Sequence, residues 1–193
     1  LRRRVPQPRQ RSGGLRGLVT VTSRDDVSYD DLGHVRHYTE SSTRSDAPEL
    51  TNRTDWSAAL YDDRGNVTDS VETVQTSGRT AAGGYDVTKT TRRSAVVVDD
   101  QGLTRTFRET QWDSSQPDAT TTTDRQSTDF DLVGREIASV SLRHEQGQTT
   151  TPDINGVSQT MALDKWTTVV QSGRTFNDVG QLTASKELSF DGD

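Results

Sequence analysis

The chain has 193 residues and a net charge of −6 at pH 7, and only 28 % of its residues are hydrophobic. Because cysteine is absent, disulfides, thiolate metal sites and a cysteine nucleophile are excluded. One residue in four is Ser or Thr, and the branched side chain of Thr favours extended backbone. This composition favours a thin, polar β-sheet over a globule with a thick apolar core.

Residues 1–17 differ from the rest of the chain in charge. They contain six Arg, together with Pro and Gly, but no acidic residue, which is typical of a linker or of the end of a fragment. Basic arms of this kind bind nucleic acid in some proteins, but no aromatic residue stands between these arginines to stack on bases. We therefore predict no nucleic-acid partner. No run of about 18 apolar residues predicts a membrane span, and we interpret the chain, which begins with Leu1, as a fragment of a longer polypeptide.

From residue 18 onward a short motif recurs five times. It consists of an aromatic residue or Val, then Asp or Asn, two variable residues and Gly. Its copies are Tyr29, Asp30 and Gly33; Tyr61, Asp62 and Gly65; Val98, Asp99 and Gly102; Phe130, Asp131 and Gly134; and Phe176, Asn177 and Gly180. Eleven places after the first motif position stand Glu40, Glu72, Glu109, Ser141 and Glu187. The two shortest intervals, from Tyr29 to Tyr61 and from Val98 to Phe130, are equal, and we take them as the basic length of the five or so repeats in residues 18–193. A sixth copy is predicted to open at Phe190 and Asp191.

Each repeat is predicted to be a β-hairpin. Asp or Asn followed three residues later by Gly is typical of a turn, and alternating segments such as residues 35–40 and 67–72 indicate half-buried strands. The extra residues of the longer repeats are expected in loops at one edge, within residues 77–84 and at a type I′ turn formed by Asn155 and Gly156. A lone hairpin is marginal in water, so the repeats must stack. We predict an all-β chain of tandem hairpins stacked into an extended sheet, a solenoid or a shell-like array.

The motif resembles the YD repeats of the RHS and teneurin families. Residues 61–68 and 176–183 match best, with the aromatic-Asx-x-x-Gly motif followed by a Val-Thr or Leu-Thr strand. The resemblance implies long hairpins wound into a sheet or hollow shell, in very large secreted or surface-exposed proteins. YD units are usually shorter than the repeats of this chain, and the longer unit resembles repeats of giant bacterial surface proteins.

The recurring carboxylates could form a series of cation sites along the stacked turns. Stacked turns could supply the six to eight oxygens that Ca²⁺ prefers, but the spacing fits neither an EF-hand loop nor the Gly-Gly-x-Gly-x-Asp calcium repeat. We therefore predict no cofactor and no metal, with Ca²⁺ as the candidate if one exists. The glutamates would repel each other if they stacked directly, so arginines such as Arg36 and Arg105, or solvent, are expected between them.

Aromatic side chains allow a second kind of ligand. Trp56, Trp112 and Trp166 could stack on sugar rings of surface glycans, or could fill a thin interface between layers. No nucleophile elbow and no phosphate loop is present, and we predict no enzyme activity. The sequence thus predicts a structural or adhesive segment of a giant extracellular or cell-surface protein, which pairs with further repeats of its own chain or with itself through strand edges. The alternatives are part of an RHS-like shell around a toxin cargo and a carbohydrate- or Ca²⁺-binding module.

Overall fold

The computed structural model describes residues 18–80, 82–152 and 154–192, except for the side chains of residues 151 and 152. These residues form ten antiparallel strands in a single open sheet, in which every strand lies beside its neighbours in sequence. The all-β prediction is confirmed, and of the three predicted arrangements the extended sheet is the one found. The strands are β1 (Thr20–Tyr29), β2 (Val35–Arg44), β3 (Ala47–Tyr61), β4 (Val67–Thr80), β5 (Gly83–Val98), β6 (Thr104–Asp113), β7 (Gln116–Phe130), β8 (Glu136–Pro152), β9 (Ser158–Phe176) and β10 (Leu182–Gly192).

No second layer covers either face of this sheet in the described part of the chain. Its buried residues are Ala58, Asp69, Ser127, Ser139 and Ser141, of which four are polar. Because both faces meet solvent, both can carry Thr, Ser and charged residues, and a sequence poor in apolar residues can form the sheet. Stability must then come from the backbone ladder and from side-chain pairs between neighbouring strands, each worth about 0.2–1 kcal/mol.

The structural repeat is a pair of hairpins and not a single one. The strands that arrive at a motif alternate in backbone conformation. Three residues before the motif, Asp26 in β1, Ala95 in β5 and Gly173 in β9 have positive φ angles of 52°, 51° and 59°, whereas no residue of β3 or β7 has a positive φ. Equivalent backbone conformations therefore return after four strands. The structural repeat is thus about twice as long as the basic repeat taken from the sequence. We call each set of four strands, β1–β4 and β5–β8, a block.

The hydrogen bonds between strands repeat with the same period. Ser45 donates its backbone N–H to the carbonyl of Val19, and its hydroxyl oxygen accepts the N–H of Val19. Ser114 makes both bonds to Thr88. These seryl turns close the short hairpins at equivalent places in the two blocks.

The extra residues of the longer repeats lengthen strands and do not form loops. β2 has 10 residues, whereas β4 has 14 and β8 has 17. An added residue in each strand of a hairpin pairs with its opposite, as Gln148 does with Ala162 and Thr150 with Thr160. The predicted location near residues 77–84 is confirmed, but the predicted loop is wrong.

Two local expectations also differ from the structure. Pro152 pairs with Ser158, so residues 153–157 connect β8 to β9 and the two-residue type I′ turn is wrong. Phe190 and Asp191 lie within β10, opposite Thr168 and Thr167. The five motif copies, in contrast, lie at turns, so the predicted sixth copy is wrong. The basic segment predicted at residues 1–17 lies outside the described residues.

Gly147 allows two backbones to approach closely. A Cβ atom at this position would collide with the carbonyl oxygen of Asp118, and φ is +138°. Gly78 meets the carbonyl of Glu49 in the same way one block earlier, with φ at +149°. Only glycine fits both the space and the backbone angle.

We expect Gly147→Ala to lower the free energy of unfolding by about 1–3 kcal/mol, because the strand must shift and carry backbone strain. Urea denaturation measures the change. Gly84→Ala is the matched control, since a Cβ there meets nothing within 4 Å, and its effect should stay within about 0.5 kcal/mol. Equal effects of the two substitutions would contradict the close approach.

Candidate functional site

All five motif copies lie at the same ends of the hairpins, along one side of the sheet that runs across the strands. We call this side the motif edge. They connect β1 to β2, β3 to β4, β5 to β6, β7 to β8 and β9 to β10, and the remaining connections lie at the opposite edge. The motif glycines have φ between 80° and 85°. Each donates its N–H to the carbonyl of the motif Asp or Asn at 2.9–3.1 Å. This is the three-residue hairpin loop in which a type I turn ends in a left-handed glycine.

The motif Asp or Asn holds each turn through one side-chain oxygen. Its Oδ1 atom accepts two backbone N–H groups, from the residues two and four positions later. The distances lie between 2.8 and 3.2 Å in all five copies, at Asp30, Asp62, Asp99, Asp131 and Asn177. The same arrangement in a copy with Asn shows that the oxygen, and not the charge, forms the turn.

The second carboxylate oxygen binds a side chain that follows the turn. Oδ2 of Asp62 accepts a bond from Nδ2 of Asn66 at 2.9 Å. Oδ2 of Asp131 accepts a bond from Nε of Arg135 at 2.7 Å. His34 and Arg105 provide the partner of Asp30 and Asp99. Both oxygens of each motif carboxylate are thus engaged within the repeat.

These bonds lower the pKa of the motif carboxylates. The side chain of Asn66 is the main cause for the pKa of Asp62, and the backbone N–H groups of Leu103 and Arg135 are the main causes for Asp99 and Asp131. For Asp30, desolvation opposes the change, but the bonds from His34 bring the pKa below its ordinary value.

Successive turns contact each other through an aromatic ring and a basic side chain. The guanidinium of Arg105 lies 4.5 Å from the ring centre of Phe130, and that of Arg135 lies 4.4 Å from Phe176. The ring of His34 stacks on Tyr61 at 4.6 Å between centres. Each basic residue is the partner of the carboxylate in its own repeat, so carboxylate, basic side chain and the next ring form one connected row.

The row changes form where the motif has no ring. Val98 opens the third copy, and there Arg64 reaches forward from the second turn. It donates to the carbonyl of Asp99 at 3.0 Å and pairs with the carboxylate of Asp100 at 2.5 Å. Contact between consecutive turns is therefore kept by a different interaction.

The glutamates eleven places into each repeat point to one face, which we call face A and which also carries Tyr38 and Trp56. Glu40 pairs with Arg24 and Glu109 with Arg93, each at 2.8 Å. Glu187 accepts a bond from Gln171 at 2.8 Å, and Glu72 lies opposite Trp56.

The arginines predicted between these glutamates are elsewhere. Arg36 donates to the carbonyls of Ala58 and Ala59, and Arg105 binds Asp99. Identical positions are two strands apart, so the strand between them supplies the separating side chain. The irregularities before each motif do not alter that register, since Arg24 pairs with Glu40 in the same register as Tyr29 with Val35.

The tryptophans do not fill an interface between layers, because the described sheet has one layer. Trp56 stacks on Tyr38 on face A, with ring centres 5.2 Å apart. Trp112 and Trp166 lie on the opposite face, face B, and are 40 % and 39 % exposed. Trp166 stacks on His144 at 3.9 Å. Glycan contact stays a prediction for these rings.

Histidine and acidic residues do not gather into a metal site in the described ranges, where no group of three or more could hold an ion. His34 binds Asp30, whereas His37 lies 3.7 Å from Asp55. The prediction of Ca²⁺ as a candidate ion gains no support from this geometry. In the described residues no helix has the length and apolar character needed to cross a membrane.

Acid should weaken the turns. A carboxylate whose pKa is lower in the folded chain stabilises that chain above the unfolded value of about 3.9, and the contribution is lost as pH falls through the folded pKa. Replacing Asp30, Asp62, Asp99 and Asp131 with Asn keeps the Oδ1 acceptor. The quadruple variant should therefore lose less stability between pH 7 and pH 3 than the unaltered chain.

Urea midpoints at the two pH values measure this difference. A control with Asn at Asp31, Asp63 and Asp178 removes charges at the adjacent positions and leaves the Arg64–Asp100 pair intact. Equal loss of stability in the quadruple variant and the unaltered chain would contradict the role of the capping carboxylates.

Comparisons with models of known protein families, with characterised proteins and with solved structures give no match for this chain.

Proposed function

We propose that the chain is a non-catalytic structural or adhesive segment of a very large secreted or cell-surface protein. Strand pairing between its repeats would build length. The observation that carries this proposal is that β1 and β10 each pair on one side only within the described sheet. A sheet with two open edges can be extended without any change in its interior.

The two blocks support the proposal because they share a set of contacts. Their seryl turns, close-approach glycines and Arg–Glu pairs occupy equivalent places. Each block contacts only the strands beside it in the sheet. Other repeat proteins share this arrangement, and their stability grows with the number of units. Extension therefore needs only more copies of the same block.

The chemistry at the motif edge also fits a structural role. The motif carboxylates are engaged by turn N–H groups and by neighbouring side chains. Their bonds hold the turns, and the basic side chains that bind Asp99 and Asp131 contact the rings of the next repeats. The location at the cell surface rests on the resemblance to YD repeats, whose proteins are secreted or surface-exposed.

A tandem duplication tests whether the blocks add length. Residues 29–97 are copied and inserted between Val97 and Val98, which keeps every motif in register. Four added strands at about 4.8 Å each should lengthen the particle by about 19 Å in X-ray scattering. The urea midpoint should not fall, since the new strands pair on both sides.

The control is an insertion of the same segment in shuffled order, which should unfold or leave the particle length unchanged. Loss of folding in the in-register duplication would contradict the proposal. A curved particle whose largest dimension does not grow would favour the RHS-like shell instead.

A further inference from the structure

A single register governs every junction between a strand that leaves a motif and the strand that arrives at the next. The residue eleven places after the start of one motif lies opposite the residue seven places before the next. The four pairs are Glu40 with Thr54, Glu72 with Thr91, Glu109 with Thr123 and Ser141 with Val169. The register is the same for short and long hairpins, because extra residues lengthen both strands equally.

β1 and β10, which pair on one side only among the described residues, are the two halves of such a junction. β10 leaves a motif and carries Glu187 eleven places after Phe176, and β1 arrives at one and carries Thr22 seven places before Tyr29. We propose that β10 of one molecule binds β1 of a second copy with Glu187 opposite Thr22. This deepens the proposed function, on which it rests, by naming the partner and the register.

On face B this register brings together apolar side chains from both strands. Leu188 lies opposite Val21 of the second copy, and Phe190 lies opposite Val19. These four side chains are 44 %, 65 %, 55 % and 57 % exposed in the single chain. On face B they would continue an apolar strip from Val170, which pairs with Leu188. Burial of this strip provides a driving force for association.

The backbone of β1 is oriented for the same register. Val19 directs both its N–H and its carbonyl toward Ser45 on the β2 side. Since successive residues of a strand point to alternate sides, Thr20 and Thr22 direct theirs to the open edge. Thr22 and Glu187 would therefore exchange backbone hydrogen bonds, and Val21 and Leu188 would form the closer pair without them.

The same alternation is visible inside the sheet. One step from the pairs Glu72–Thr91 and Glu109–Thr123, the hydroxyls of Thr73 and Thr90 lie 3.2 Å apart. Those of Thr110 and Thr122 lie 3.4 Å apart. The proposed junction replaces such a threonine pair with Leu and Val.

Pairing of like edges reproduces no junction found in the sheet. Two β10 strands side by side would bring Glu187 and Asp191 of both copies onto one narrow strip. A head-to-tail junction keeps all motif turns at one edge and each face continuous. Because such a contact does not close on itself, it produces filaments.

Disulfide trapping tests the register directly, since the chain has no cysteine. Val21→Cys and Leu188→Cys molecules are mixed and oxidised under mild conditions. Opposed residues have Cβ atoms about 4.5–5.5 Å apart and diagonal ones about 7–8 Å, while a disulfide needs about 3.5–4.5 Å. The mixed dimer should form several-fold faster than the dimer of Val19→Cys with Leu188→Cys.

Two results would overturn the proposal. One is equal trapping of the Val21 and Val19 variants, and the other is the absence of any mixed dimer at concentrations where the unaltered chain is folded. Neither result would change the outcome expected for the tandem duplication, because its blocks are joined covalently. A duplication that fails to lengthen the particle would instead contradict the proposed function.

The motif edge offers a second, gain-of-function test. Tyr29 is 61 % exposed, and no guanidinium of the described chain lies over its ring. At the proposed junction Gln181 of the first copy takes the place that Arg135 holds over Phe176. Gln181→Arg should therefore tighten association about two- to fivefold, as an added cation–π contact would.

Sedimentation velocity measures that change in affinity. Gln181→Arg combined with Tyr29→Leu is the control, which should associate no more tightly than Tyr29→Leu alone. Tightening that persists without the Tyr29 ring would contradict the placement of the two edges.

Discussion

Each strand of this sheet can bury its backbone and side chains only against the strands beside it. In the described chain no second layer shields either face, and four of its five buried residues are polar. Folding therefore depends on a continuous ladder of antiparallel pairs, supported by contacts between neighbouring side chains. A strand at the edge of the sheet pairs on one side only. The dependence of folding on strand pairing therefore also favours the addition of further strands at the edges.

The motif edge serves two tasks with one set of residues. The carboxylate oxygen that caps the turn acts within a repeat, whereas the basic side chain on the other oxygen reaches the ring of the next repeat. The copies differ in detail, since His34, Arg105 and Arg135 contact rings and Arg64 contacts a backbone carbonyl and a carboxylate. What persists is contact between consecutive turns, which keeps neighbouring hairpins aligned.

The motif could be recognised from sequence because turn chemistry is local. An Asx followed three residues later by Gly specifies its hydrogen bonds without reference to the rest of the chain, so the hairpin ends could be predicted. The four-strand period also has a sequence signal, in the matching Gly78 and Gly147 and in Ser45 and Ser114. Comparing single hairpins hides it, because alternate hairpins differ.

Other features could not be read from the sequence because they depend on register. Polar residues on both faces give no alternation that marks where a strand ends, so the lengthened strands β4 and β8 were expected as loops. Arg24, and not Arg36, meets Glu40 because Arg24 and Glu40 lie directly opposite each other in β1 and β2. An interface between layers is one of two places that the sequence predicts for the tryptophans, because large rings usually supply buried area, and a single layer has no such interface.

The heat-capacity change of unfolding tests most directly whether the molecule is held by strand pairing rather than by an apolar core. Calorimetry of the unaltered chain, at concentrations where it is monomeric, gives this quantity per ordered residue. The single-layer sheet predicts a value well below the about 12–15 cal/mol/K per residue of globular proteins, because little apolar surface is exposed on unfolding. A value within that range would show that substantial apolar surface is buried in the folded chain and would contradict the account.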